Sequence, residues 1–243
     1  MFPHYAYLVL DLLLLPVWLA LFALRKDLRK EILIGGLAFG VIAFLTEPLF
    51  IRDYWSPQYV APLFWGNIPI GSFEDFLYGF FKGGIASAIY EFVFSLRFRK
   101  TPDAHYKWAH FIIPFYVVGF AVFLGTNLHW GINSMYASLI ASGVCFLFIL
   151  WYRRDLIVDG FVSGLFLIGV WFGVLLLFQL LYPGIIDSWW HLDNLSGIRL
   201  AGVPIEELYE ALLVGAIGAP LYAFFTGRHF LKLHPRKLFR AFR

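Results

Sequence analysis

The sequence predicts an all-α integral membrane protein of about seven transmembrane helices. Three observations support this fold class: only 14% of the 243 residues are charged, 60% are hydrophobic, and the hydrophobic residues form long uninterrupted runs. Soluble domains carry roughly 25% charged residues, and a hydrocarbon core of about 30 Å takes roughly 20 helical residues to cross. A water-soluble fold would lack the polar residues to cover this much apolar surface.

Seven apolar runs are long enough to span a bilayer. A spanning segment must satisfy its own backbone hydrogen bonds, so these runs are predicted to be helices. The opening segment has no basic n-region and no small-residue cleavage site, which favours a retained helix over a signal peptide. The predicted spans are approximately Tyr7–Leu24, Glu31–Ile51, Glu74–Leu96, Ala109–Asn127, Ser134–Trp151, Ile157–Tyr182 and Glu206–Gly227.

The basic residues between the runs predict the orientation, because Lys and Arg concentrate in cytoplasmic loops. Clusters begin at Arg25, Arg97 and Arg153 and recur in the C-terminal tail, whereas the opposite loops hold only Arg52 and Arg199. We therefore expect a multi-pass protein of the inner cell membrane, with the N-terminus outside and the C-terminus inside. The net charge of +3 comes from these loop clusters and is interpreted as a signal of membrane topology. The expected partner is therefore the lipid membrane and not nucleic acid.

The chain contains an internal repeat. The tetrapeptide that starts at Arg25 resembles the one that starts at Arg153, and each is followed by an apolar helix, a Pro-Ile step and an acidic pair that opens another helix. The pairs are Glu74-Asp75 and Glu206-Glu207. Parallel repeats commonly enclose a site at their interface. The predicted units are a three-helix repeat in 1–100, a linker helix in 101–130, a second three-helix repeat in 131–230 and a basic cytoplasmic tail in 231–243.

Charged groups inside a membrane cost about 2.5 to 3.5 kcal/mol at a helix centre, so each needs an explanation. Helix capping explains one acid per helix, since a first-turn carboxylate complements the helix dipole by roughly 0.3 to 1 kcal/mol. It explains neither the second acid of each pair nor Glu210, which lies four residues after Glu206 on the same face. The remaining intramembrane charges are Asp11, Glu47, Lys82 and Glu91, with Asp159 near a helix end.

Lys82 lies seven residues after Asp75, on roughly the same helix face two turns deeper. We expect it to pair with a carboxylate, either as a structural ion pair or as a group that sets the proton affinity of a neighbouring acid. The sequence leaves open whether Asp11, Glu47 or Glu91 is its partner or lines a cavity.

Aromatic residues near the acids suit either an interfacial belt or the wall of a binding site. In a site, their ring faces would attract a cation without reacting with it. Glycine-rich phosphate loops, a dinucleotide fingerprint and histidines or cysteines at ligand spacing are missing from the sequence. No cofactor and no metal are therefore expected. The aromatic residues considered for substrate binding are Tyr78, Trp65, Trp190 and Tyr209.

Two segments carry a resemblance to a known family. The opening Tyr5-Ala6-Tyr7-Leu8-Val9-Leu10-Asp11-Leu12-Leu13 and the segment Gly202-Val203-Pro204-Ile205-Glu206-Glu207-Leu208 resemble the integral-membrane lycopene β-cyclase family. That family occurs as two similar three-helix subunits or as one fused chain in bacteria, archaea and fungi. The second segment matches the family's Pro-x-Glu-Glu signature, whereas the first repeat carries three extra residues between Pro69 and Glu74.

The resemblance implies a carotenoid cyclase, an intramolecular lyase or isomerase that forms β-ionone rings from acyclic ψ ends without net redox change. A carboxylic acid protonates the terminal alkene, the neighbouring double bond attacks the cation, and a base removes a proton. The substrate would be a lipophilic isoprenoid from the bilayer, and the chain would work alone or as a homo-oligomer. The implied acid and base are Glu206 and Glu207 with Glu74 and Asp75, and the implied tuning residues are Glu210, Lys82, Asp11 and Glu47.

Other functions remain alternatives. A small transporter or channel would need a polar path through the membrane, but the acids cluster near the predicted outer side. A retinal photoreceptor would need a lysine on the seventh helix, and Val203–Gly227 contains none. The three-residue insertion keeps open a related membrane terpenoid cyclase, or a non-catalytic protein that binds a pigment or prenyl lipid.

Overall fold

The computed structural model describes residues 3–66, 68–99, 109–227 and 229–232. These residues form a helical bundle with three small two-stranded sheets at its ends. The all-α membrane fold is therefore confirmed. The α-helices are α1 (Ala6–Leu24), α2 (Arg29–Asp53), α3 (Phe73–Ala86), α4 (Ile89–Val93), α5 (Ile112–Leu124), α6 (Ser134–Tyr152), α7 (Ile157–Leu181), α8 (Ile185–Trp189) and α9 (Ile205–Thr226).

In the described part of the chain, six helical segments are long and apolar enough to cross a membrane: α1, α2, α5 with the π-helical turn that follows it, α6, α7 and α9. The third predicted span differs, because it is divided into α3 and α4. The Ser87 hydroxyl donates a 2.8 Å hydrogen bond to the carbonyl of Gly83, and α4 resumes only after Ala88. The prediction of about seven spans thus corresponds to six continuous helices and one broken one.

The strands pair as three antiparallel ladders. β1 (Pro62–Trp65) pairs with β2 (Ile68–Ser72), and β4 (Arg199–Leu200) pairs with β5 (Val203–Pro204). Each of these ladders leads directly into a helix that begins with an acidic pair. β3 (Leu96–Arg99) pairs with β6 (His229–Lys232), so the start of the predicted tail forms a strand. Residues 101–108 of the predicted linker and 233–243 of the tail lie outside the described residues.

Glycines let the acid-bearing helices pack closely on their neighbours, as small residues do in membranes. A Cβ at Gly79 of α3 would lie 2.5 Å from the carbonyl oxygen of Phe39 in α2, and one at Gly164 of α7 would lie 2.5 Å from that of Leu212 in α9. Backbone therefore contacts backbone in both pairs. α3 and α9 also meet, since a Cβ at Gly218 would lie 2.6 Å from Ala86.

The two ends of the bundle differ in chemistry. At the end called here the tryptophan end, which carries Trp55, Trp189 and Trp190, the Ser56 amide donates to the carbonyl of Trp189 at 2.8 Å. This contact joins the loops of the two halves. At the opposite end, called here the basic end, Arg25 pairs with Asp27 at 3.0 Å and Arg153 with Asp155 at 2.7 Å.

Candidate functional site

A cavity of about 220 Å³ lies among α1, α2, α3, α5, α6, α7 and α9. Most of its walls are apolar, and it reaches from the acidic residues at the tryptophan end toward the middle of the bundle. Its charged lining residues are Glu47, Asp75, Lys82, Glu207 and Glu210. A single chamber therefore collects charges from three helices inside an otherwise hydrophobic bundle.

Glu207 is positioned by side chains and lies 3% exposed at the start of α9. It accepts hydrogen bonds from the Trp171 indole at 2.8 Å, from the Trp190 indole at 2.7 Å and from the Tyr54 hydroxyl. Hydrogen bonds donated to the charged form stabilise a carboxylate. These three donors bind both oxygens of the Glu207 carboxyl group and fix its orientation.

Asp75 and Glu47 form a second acidic group. Asp75 accepts from the Tyr7 hydroxyl at 2.8 Å and from the Ser72 amide at 2.5 Å, as the acid of a capping box on α3. A Cβ at Gly71 would lie 2.8 Å from Asp75 Oδ2 and 3.4 Å from Glu47 Cβ. Because Gly71 has φ +117°, glycine is favoured here for both space and backbone conformation. Gly71, which lies between Pro69 and Glu74, is thus next to both acids.

Glu47 is held by two donors from the loop after α2. The Trp55 indole donates at 2.9 Å and the Tyr59 hydroxyl at 2.7 Å, both to the same carboxylate oxygen. Burial, reinforced by the adjacent Glu47 carboxylate, raises the pKa of the Tyr59 phenol well above its ordinary value. Tyr59 therefore remains a neutral hydrogen-bond donor at physiological pH.

Asp11 lies one turn after Tyr7 on α1 and is fully buried. Its electrostatic neighbours are Asp75 and Glu74. Among the described residues, neither of its carboxyl oxygens has a hydrogen-bond partner. Asp11 thus adds a third carboxyl group behind Asp75, outside the cavity lining.

Lys82 pairs with Glu210 across the interface between α3 and α9. Its ammonium also donates to the Tyr78 hydroxyl at 2.6 Å and lies 4.1 Å from the centroid of the Trp171 ring. The partner is therefore Glu210, and none of the three candidates offered by the sequence, Asp11, Glu47 and Glu91, forms this ion pair. The ion pair neutralises two charges inside the bundle and leaves Asp75 and Glu47 without a bound cation among the described residues.

The family model described as lycopene cyclase matches residues 4–94 and 133–225. This chain belongs to the lycopene cyclase family. Each matched segment contains one acidic pair and the loop that precedes it. No curated protein and no solved structure matched the chain. Membership supports carotenoid cyclase function in general and a membrane location.

In this lycopene cyclase family member, the two acids of each pair point to different surroundings. Glu74 accepts from the Val60 amide at 2.8 Å, and Glu206 accepts from the Ser196 amide and the Tyr136 hydroxyl, each at 2.8 Å. Neither lines the cavity. The first acid of each pair therefore fastens a loop, and the second faces the chamber.

The aromatic residues predicted to bind substrate also differ in where the structure places them. Tyr78 and Trp190 line the cavity, whereas Tyr209 lies outside the lining and is 53% exposed. Trp65 belongs to β1, and its side chain lies outside the described part of the structure. Sequence reasoning did not single out Tyr7, Tyr59 or Trp171 as site residues. Trp171 could have been identified from the sequence, because it lies in an apolar helix and a buried indole N–H usually requires an acceptor.

Proposed function

We propose that this family member cyclises the ψ end of a lycopene-type carotenoid by proton transfer, without net redox change, as a multi-pass protein of the inner cell membrane. The observation that carries the proposal is that Asp75, Glu47 and Glu207 line one buried and mainly apolar cavity. An apolar isoprenoid end fits such walls, and the carboxyl groups supply the chemistry. The substrate enters from the bilayer because it is lipophilic.

Asp75 is assigned as the proton donor. Buried carboxyl groups that crowd together share protons, because like charges a few ångströms apart do not all ionise. Asp75 lies beside Glu47 and Asp11, and the Lys82 cation is occupied by Glu210. The proton passes to the terminal alkene of the substrate, and the positive charge forms on the adjacent carbon.

The aromatic side chains of the chamber stabilise the cation while the ring closes. The neighbouring double bond attacks the cationic carbon, which forms the new carbon–carbon bond and moves the positive charge onto the ring. Tyr78 and Trp190 are part of the lining, and aromatic faces attract cations without forming a bond to them.

Glu207 is assigned as the base. Its carboxylate, held in place by three hydrogen-bond donors, attracts the ring cation and removes a proton to set the ring double bond. One proton enters from Asp75 and one leaves to Glu207, so the substrate and product have the same composition and no electrons are exchanged. Proton return from Glu207 to the Asp75 group resets the site.

The test is pigment analysis in a lycopene-accumulating bacterial host. The parent chain is expected to produce a monocyclic or bicyclic carotene, and Glu207→Gln is expected to leave lycopene unchanged. The matched control is Glu206→Gln, because the amide oxygen can still accept from Ser196 and Tyr136; this variant should continue to cyclise. Unchanged lycopene with the folded parent chain, or full activity of Glu207→Gln, would refute the proposed function or the assigned base, respectively.

A further inference from the structure

A second cavity, of about 170 Å³, lies nearer the basic end. Its lining contains no charged side chain, unlike that of the first cavity. Tyr116 and Leu221 line both cavities, so the two chambers adjoin at these side chains. Further lining residues of the second cavity are Ile34, Ala38, Ile112, Phe225 and Thr226.

Three helices, α2, α5 and α9, line both chambers, one chamber after the other. On α2, the lining runs from Phe50 to Phe39 in the first cavity and continues to Ile34 in the second. On α9, it runs from Glu207 to Leu221 and continues to Thr226. The lining residues of α5 likewise continue from the first cavity into the second. The chambers therefore follow one another along the bundle axis, from the carboxyl groups toward the basic end.

The combined length matches a long isoprenoid. Eighteen residues separate Glu207 from Phe225 on α9, which corresponds to about 27 Å at helical rise. An extended acyclic carotenoid is about as long as the hydrocarbon core is thick, about 30 Å. The first cavity alone would hold one end group and part of the chain.

The junction between the chambers is aromatic. The ring centroid of Tyr116 lies 6.4 Å from that of Phe225, and the centroid of Phe115 lies 5.6 Å from the same ring. A flat conjugated chain offers faces that pack against such rings. The lining at this junction is thus suited to the planar middle of a polyene.

Building on the proposed function, we infer that the second cavity is a distal subsite for the acyclic half of the substrate that is not reacting. The carotenoid substrate lies along α2, α5 and α9. One of its ψ ends is at Asp75 and Glu207, and its other half is near Ala38 and Phe225. The protein therefore cyclises one end per binding event. A second ring requires the substrate to leave and bind again in the reverse direction.

The test fills the distal subsite and compares two substrates with the same reacting end. Ala38→Phe places an aromatic ring in the second cavity, and Leu37→Phe is the control because Leu37 is 51% exposed on the neighbouring face of α2. The purified proteins in lipid nanodiscs receive lycopene or a truncated apo-lycopenal, which keeps one ψ end but lacks the distal half. The added ring of Ala38→Phe occupies space that the distal half of lycopene would fill, so this variant should convert lycopene about tenfold more slowly, a loss that corresponds to about 1.4 kcal/mol.

The same variant should convert apo-lycopenal at nearly the parent rate, and Leu37→Phe should resemble the parent on both substrates. Thr226→Phe, which fills the subsite from α9, is a second variant with the same expected result. Equal loss of both substrates in folded variants, or no loss with either, would overturn the distal subsite. A folded parent that converts neither substrate would instead overturn the proposed function, on which this inference depends.

Discussion

The indole nitrogen of Trp171 lies 2.8 Å from the carboxylate of Glu207 and donates a hydrogen bond to it. The face of the same ring lies 4.1 Å from the ammonium group of Lys82. One side chain of α7 therefore touches both the proposed base and the buried ion pair. These two contacts fix the orientation of the Trp171 ring, and the fixed ring in turn holds the Glu207 carboxylate in place.

Trp171→Phe should slow cyclisation while leaving the fold intact. The variant keeps an aromatic ring but removes the donor to Glu207, and a hydrogen bond to a charged group contributes about 1.5 to 3 kcal/mol. We expect kcat to fall about tenfold or more. Single-turnover cyclisation in nanodiscs measures the effect. Trp151→Phe is the control, because Trp151 is 78% exposed on α6; equal rates for the two variants would contradict the role of Trp171.

Asp75→Asn should abolish most of the proton transfer. The amide oxygen can still accept from Tyr7 or Ser72, but the side chain no longer carries a proton that it can donate. General acid catalysis contributes typically about 10² to 10⁴ in rate, and kcat should fall by that factor. The matched control is Glu74→Gln, which retains an acceptor for the Val60 amide and should cyclise at close to the parent rate. If both variants are equally slow, the experiment would not support Asp75, rather than Glu74, as the proton donor.

Lys82→Met should destabilise the protein, because it leaves Glu210 as a charge without its partner. Breaking a buried pair from one side costs about 3 to 5 kcal/mol, whereas replacing both partners by apolar residues is often neutral. The double variant Lys82→Met/Glu210→Leu should therefore be more stable than the single variant. Thermal unfolding in detergent provides the comparison. Arg199→Met, which removes the exposed pair with Asp187, should change stability by about 0 to 1 kcal/mol, and a larger loss there would undermine the contrast.

Gly79→Ala should lower the unfolding temperature. The new Cβ would lie 2.5 Å from the carbonyl oxygen of Phe39, so α2 and α3 would have to separate, at a cost of about 1 to 3 kcal/mol. Gly143→Ala on α6 meets nothing within 4 Å, and it should stabilise the helix by up to about 1 kcal/mol. Opposite shifts in the two unfolding temperatures are expected; a rise in both would mean that helix propensity, not packing, dominates at Gly79.

The spans could be predicted because membrane helices depend on length and apolarity, which are local properties. α1, for example, was predicted as Tyr7–Leu24 and is Ala6–Leu24. The break between α3 and α4 was not predictable in the same way. Neither Ser87 nor Ala88 strongly disfavours a helix, and the interruption occurs where Ser87 packs against Gly35, at which a Cβ would lie 1.9 Å from the Ser87 hydroxyl oxygen.

The site was predictable as a set of residues but not as an arrangement. The doubled acids identified both helix starts, yet the sequence did not show that Glu74 and Glu206 would face loops while Asp75 and Glu207 face the cavity. That distinction depends on how each loop enters its helix. The candidate partners of Lys82 were wrong for a related reason, since Glu210 lies 128 positions away and only the docking of α9 on α3 brings them together.

The ion pair between Lys82 and Glu210 has a consequence for biosynthesis. The ribosome makes Lys82 128 residues before its partner, so α3 is synthesised before Glu210 exists to neutralise the ammonium group. The ion pair therefore forms only after α9 has been synthesised and has docked on α3.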